Sequence, residues 1–176
     1  MILTETRLDG AFTIDLQPIE DERGFFARTW CRQEFSDHGL NAEVAQVNIG
    51  YSRRSGTLRG MHFQDQPHAE VKVVRCTRGL VYDVIIDLRP TSPTFKRWLA
   101  IELSAENHRV LYVPEGVAHG YQTLVDDTEI CYQTSRPYTA AAARGVRYDD
   151  PAFGVEWALP VSVISKADET WPDFRS

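Results

Sequence analysis

The sequence predicts an all-β fold, a sandwich or barrel with a few short peripheral helices. Three observations carry that expectation. Short apolar runs recur along the chain, Val, Ile and Tyr are common in them, and Gly, Pro, Asn and Asp punctuate them. Runs of this length suit strands better than helices, and their regular spacing suits a sandwich or barrel. Taken in order, the strand-like segments are Leu58–Gln64, Val71–Cys76, Leu80–Leu88, Trp98–Leu103, Val110–Val113 and Ile130–Thr134. Helical signals are few and short. Gln33–His38 followed by Gly39 reads as a helix with a glycine stop, and Ala140–Ala143 followed by Gly145 reads as another. The tail from Pro151 to Ser176 reads as short turns packed over the barrel.

One turn predicts a specific contact. If Cys76-Thr77-Arg78-Gly79 is a hairpin loop with Gly79 in the left-handed position, Arg75 pairs with Leu80. Lys72 then stands opposite Asp83, among Val71, Val73, Val84 and Ile85. A cross-strand pair of this kind would hold the lysine charged at a defined point. A solvated surface pair is the bland alternative.

The composition narrows the function classes. A chain of 176 residues with 43% hydrophobic content fits a single domain, residues 1–176, with a sizeable core. The formal net charge of -6 argues against a general nucleic-acid surface, so a phosphorylated ligand would have to be met by arginines gathered locally. Cys31, Cys76 and Cys131 are an odd, widely spaced set with no CxxC pair, which suits reduced thiols. The start, MILTETRLDG, lacks a signal-peptide pattern, and no run approaches the ~20 apolar residues of a membrane span. A cytoplasmic protein is expected. No GxGxxG, P-loop or GxSxG pattern occurs, which leaves Rossmann-bound redox chemistry and a nucleophile elbow unsupported.

Histidine is scarce, with five in all, yet His62 and His119 each lie close to a glycine in an apolar setting. Glycine there marks a close approach of backbone or ligand. The stretch Pro114-Glu115-Gly116-Val117-Ala118-His119 resembles the second motif of the cupin superfamily, which implies a jelly-roll β-barrel or sandwich. The first cupin motif would read His62-Phe63-Gln64 with Glu70 further on, so its second metal histidine is a glutamine. A metal set of His62, Glu70 and His119 is possible by ligand type but lacks that histidine.

Within the cupins, the chain resembles the 3,5-epimerases of deoxythymidine-diphosphate-4-keto-6-deoxyglucose in rhamnose biosynthesis. The matching segments run in order. They are Asp21–Phe26, Leu58–Gln64, Val71–Arg75, Tyr82–Val84, Asp87–Arg89, Ser92–Phe95, Leu103–Asn107, Pro114–Gly120 and Ser165–Asp168. The resemblance implies an isomerase with no metal and no nicotinamide. It implies His62 as general base oriented by Asp168, Lys72 near the sugar keto oxygen with Asp83 as its partner, and Tyr132 as the acid. Tyr138 matches a residue that stacks on the nucleotide base. Arg59 and Arg23 match diphosphate and substrate contacts, and Gln46, Asn48 and His119 match polar groups of the pocket. The segment with Arg23 and Phe26 reaches into a partner's barrel in the family, which implies a homodimer.

The chemistry suits these residue types. A ketone at C4 acidifies the protons on C3 and C5, and inversion needs a base on one face and an acid on the other. An imidazole serves as base near neutral pH, a lysine stabilises the enolate oxygen, and a phenol starts protonated. The sequence departs from the family pattern at Arg28, Ala140–Ala143, Tyr148–Pro151 and Ala167, all where the nucleotide and its phosphates would be held. A mono-epimerase of a related nucleotide 4-keto-sugar, a metal-dependent cupin and a non-catalytic sugar-binding cupin are the competing readings.

Overall fold

The computed structural model describes residues 1–174. The chain forms β1 (Ile2–Glu5), β2 (Phe12–Asp15), β3 (Ile19–Asp21), β4 (Gly24–Phe26), α1 (Arg32–Asp37), β5 (Gln46–Ser52) and β6 (Thr57–Gln64). It continues through β7 (Lys72–Arg78), β8 (Leu80–Asp87), β9 (Trp98–Ser104), β10 (Val110–Val113), β11 (Val117–Thr123) and β12 (Thr128–Thr134). It ends with β13 (Ala143–Gly145), β14 (Val163–Ile164) and α2 (Lys166–Glu169). One sheet has the order β1-β2-β10-β7-β12-β5. The second has the order β13-β6-β11-β8-β9, with β14 beside β6, and β3–β4 is a separate hairpin. The expected all-β sandwich is therefore what forms.

Three apolar clusters explain why the central strands read as continuous apolar runs. Between the sheets lie Val74, Cys76, Val81, Ile85, Leu103, Leu111, Val113, Val117 and Ile130. The outer face of the first sheet packs Ile14, Val71, Val73, Val110 and Tyr112 against Phe35 of α1. The outer face of the second packs Met61, Val84, Ile86 and Ala118 under Val146, just after β13, and Phe153 of the tail. Strands covered on both faces need apolar residues on both, so alternation disappears. Each fully buried Val, Leu or Ile adds about 1.5–3 kcal/mol.

Two local expectations are corrected. Gly79 does take the left-handed position, at φ 79°, but β7 and β8 do not form a hairpin. β7 pairs with β10 and β12, whereas β8 pairs with β11 and β9 in the other sheet. Arg75 therefore does not pair with Leu80, nor Lys72 with Asp83. The chain crosses between sheets at Gly79, which lets Val74 and Cys76 bury against Val81 and Ile85 across the core. Ala140–Ala142 is a turn rather than a helix, and Ala143–Gly145 pairs with the edge of β6. Four alanines cannot carry the cost of helix nucleation, and the open edge offers backbone partners instead. The helix expected at Gln33–His38 forms as α1. Through Phe174 the tail is turns and irregular chain, as expected, apart from β14 and α2; residues 175–176 lie outside the described residues. Among the described residues no helix is long and apolar enough to cross a membrane.

Candidate active site

A cavity of about 850 Å³ opens between β5, β12 and β7 of one sheet and β6, β11 and β13 of the other. The segment from Val163 to Trp171 closes one side. His62, Lys72, Tyr132, Asp168, Gln46, Asn48, Arg59, His119 and Tyr138 all line it. Asp83 lies beneath, fully buried and bonded to His119, while Arg23 and Phe26 stand apart on the β3–β4 hairpin.

A bulge in β6 sets the inner wall. His62 pairs with His119 and Arg59 with Tyr121, so β6 advances three residues while β11 advances two. Arg59 and His62 thereby reach the same face, which strict alternation forbids. Two glycines make the bulge possible. A Cβ on Gly60 would lie 2.5 Å from Gly120 Cα, and one on Gly120 would lie 2.8 Å from the Arg59 carbonyl. The glycines beside His62 and His119 thus mark an approach of backbone to backbone.

The tail delivers Asp168. Ser165 caps α2, its Oγ accepting from the Asp168 N–H at 3.1 Å, which fixes the aspartate in the first turn. Asp168 Oδ1 lies 2.6 Å from His62 Nε2. Burial pushes the Asp168 carboxyl up, but the His62 bond and charge, with Gly60 N–H and Ser165, outweigh it and hold it below the usual value. An ionised carboxylate only accepts, so Nε2 carries a proton, and in the neutral form of the ring the lone pair is on Nδ1. The histidine side chain is 47% exposed and its aspartate 8%, so the base is reachable and its orienter is not.

The opposite wall carries Lys72 and Tyr132. Lys72 Nζ donates to the His62 carbonyl at 2.8 Å and lies 3.2 Å from Glu70 Oε1. Burial lowers the lysine from its ordinary range, and the Glu70 carboxylate, then Asp83, oppose that fall. The expected partner is corrected here: Glu70 holds the direct ion pair, and both Asp83 oxygens lie 3.0 Å from His119 Nε2. Tyr132 is half-buried, and burial raises its phenol, which keeps the proton in place. Asn48 stands opposite Tyr132 in the β5–β12 ladder.

The nucleotide-side residues also have definite settings. Arg59 donates to Ser52 Oγ at 3.2 Å and the Tyr51 carbonyl at 2.9 Å, and makes no ion pair among the described residues. Gln46 Oε1 accepts from the Tyr138 N–H at 2.7 Å, leaving the Tyr138 ring 69% exposed at the rim. Gln64, which takes the place of a metal histidine, donates to the His68 and Pro137 carbonyls and accepts from Thr139. It stitches the rim loop rather than facing an ion. Among the described residues no three His, Cys, Asp or Glu side chains converge as a metal site. Arg28 pairs with Glu34 of its own chain at 2.8 Å.

Sequence reasoning missed Tyr121 and Trp171, both of which line the cavity. Burial pushes the Tyr121 phenol up to about 12. The Trp171 indole lies on Gly145, where a Cβ would sit 2.3 Å from the ring. A tryptophan in a polar tail, three residues before the described end, has no periodic pattern to reveal it, and Tyr121 reads as an ordinary strand aromatic.

The family model described as dTDP-4-dehydrorhamnose 3,5-epimerase matches residues 5–176. The chain belongs to that family. A dTDP-4-dehydrorhamnose 3,5-epimerase from Sinorhizobium fredii is 44% identical over 159 residues, covering 88% of this chain and 80% of that protein. The crystal structure of the family enzyme from Elizabethkingia anophelis superposes with a TM-score of 0.96 at 36% identity, covering 99% of this chain and 96% of the other. The Bacillus anthracis enzyme, solved with TDP and PPi bound, gives 0.94 at 37% identity, covering 98% and 99%. The family fold also carries a 3'-monoepimerase from Streptomyces bikiniensis in complex with dTDP-quinovose, at 0.87 and 32% identity over 96% and 85% of the two chains.

Proposed function

We propose that this chain inverts C3 and C5 of a dTDP-linked 4-keto-6-deoxyhexose, the dTDP-4-dehydrorhamnose 3,5-epimerase reaction, by base-catalysed enolisation. The observation that carries the reading is the placement of His62 and Tyr132 on opposite sheets of one cavity, with Lys72 on the strand next to Tyr132 and its amine at the His62 carbonyl, in a member of this family. His62 Nδ1 removes the proton next to the ketone, and Asp168 stabilises the imidazolium that forms. Lys72 stabilises the enolate oxygen in a largely dry setting. Tyr132 returns a proton from the other face. Arg59, with no carboxylate partner among the described residues, suits the diphosphate, and the exposed Tyr138 ring suits the base. Gln46, Asn48 and His119 are polar groups along the sugar's path. No step calls for a metal or a nicotinamide, because the carbonyl already adjoins both stereocentres.

The reading treats residues 1–176 as one cytoplasmic epimerase domain, which the three free thiols support. It also makes the protein a homodimer whose Arg23 and Phe26 enter the partner's site. Two surfaces support that. The β3–β4 hairpin exposes Ile19, Phe25 and Phe26, and β5 turns Gln46 and Asn48 inward while exposing Val47, Ile49 and Tyr51. An edge strand with its apolar face outward suits a second protein surface.

Incubation with dTDP-4-keto-6-deoxyglucose in heavy water tests the reaction, with deuterium followed by NMR. Exchange and inversion at both carbons are expected. Inversion at one carbon alone would make it a mono-epimerase, and a folded chain that exchanges neither carbon would refute the proposal.

A further inference from the structure

Glu70 is a buried group that the reaction just described does not use. It precedes β7, where Val71 N–H donates to Ser135 Oγ at 2.8 Å and Ser135 N–H returns a bond to the Val71 carbonyl. That clamp fixes the chain in extended form, so Glu70 and Lys72, two apart, share the inward face. The Glu70 side chain is 6% exposed and that of Lys72 is 10% exposed. Oε1 lies 3.2 Å from Lys72 Nζ, and Oε2 has no hydrogen-bond partner among the described residues.

We propose that Glu70, not Asp83, is the positioning residue that supplies the counter-ion of Lys72 and fixes its ammonium in the cavity wall. A buried ammonium without a carboxylate gives up its proton, and a neutral amine cannot stabilise an enolate. Asp83 is committed through both oxygens to His119 on the neighbouring strand. Among the described residues Glu70 has no other hydrogen-bond or ion-pair partner, so its charge acts on Lys72. The other titratable or charged groups facing this space are Asp83 of β8, Arg59 and His62 of β6, His119 and Tyr121 of β11, Tyr132 of β12, Arg136 and Tyr138 just after it, and Asp168 of α2. Among the described residues none of them makes an ion pair with Lys72. Glu70 also raises the Tyr132 phenol, so one carboxylate favours the protonated form of both groups.

The role in turnover rests on the epimerase reading, but the test does not. The Lys72 ammonium is titrated by NMR in the substrate-free full chain, in the parent and in the Glu70→Gln and Asp83→Asn variants. Glu70→Gln should lower the Lys72 midpoint by about 1–3 pH units, the effect of a close opposite charge. Asp83→Asn should lower it less. An unchanged midpoint in Glu70→Gln, or a larger fall in Asp83→Asn, would overturn the proposal. If Glu70→Gln does not fold, the parent decides. An ionised Glu70 beside a charged Lys72 at pH 7 supports the proposal, and a neutral Glu70 refutes it. In turnover, the alkaline limb of kcat in Glu70→Gln should move to lower pH with KM little changed. A chain that titrates as expected but exchanges no substrate proton would sink the epimerase reading and leave the ion pair standing.

Discussion

The sandwich has a closed half and an open half, and the same strands build both. β7 gives Val74 and Cys76 to the core between the sheets and Lys72 to the cavity. β11 likewise gives Val117 to the core and His119 to the cavity. In the closed half Val74, Cys76 and Leu111 of one sheet share an apolar cluster with Val81, Ile85 and Leu103 of the other. In the open half charged and polar residues such as Lys72, Arg59, His62 and His119 stand among apolar ones such as Leu58 and Ile130, and space replaces the facing side chains. The difference teaches that stability and chemistry are divided along single strands. Packing in the closed half holds the walls of the open half at a fixed separation, so the groups that react are held by residues that never touch substrate.

Substitutions can break that division. Leu111→Ala, at a fully buried position of the closed half, should lower stability by about 2–5 kcal/mol in urea unfolding. The rate per folded molecule should stay near that of the parent. A loss of rate beyond the unfolded fraction would show that the halves are coupled more tightly than the division allows. A smaller effect belongs to Asp87, at the end of β8. Burial pushes its carboxyl up, but bonds from Arg89, Ser92 and Thr94 outweigh that and bring it to about 2. A carboxyl lowered by folding adds stability above its unfolded value near 4, and that stability disappears as pH falls towards 2. Asp87→Asn should therefore lose about 2 kcal/mol at pH 7. The gap to the parent should close between pH 4 and pH 2 in acid unfolding. A gap independent of pH would assign the loss to packing instead.

The closed half was the legible one. Val110–Val113 and Leu80–Leu88 read as strands because they are covered on both faces and so are largely apolar on both, Asp83 and Asp87 excepted. β5 was not legible, although its pattern is regular, because its polarity is inverted: the polar residues face the cavity and the apolar ones face out. The β7–β8 register failed for a related reason. Local turn chemistry placed Gly79 in the left-handed position correctly, but it cannot tell a hairpin from a crossing between sheets. Lys72 was found by that wrong route and paired with Asp83, whereas the fold pairs it with Glu70. Nothing local in the sequence joins His62 to Asp168, which lies 106 residues away, and the ordered family resemblance was what linked them.

The central claim is that a base on one wall and an acid on the other act on opposite faces of the sugar. Deuterium exchange and inversion measured side by side in His62→Asn and Tyr132→Phe test it most directly. Tyr132→Phe keeps the base, so exchange should continue while inversion falls, by about 10²–10⁴-fold for loss of a general acid. His62→Asn should lose exchange and inversion together. A His62→Asn chain that exchanges both carbons at the parent rate would contradict the account.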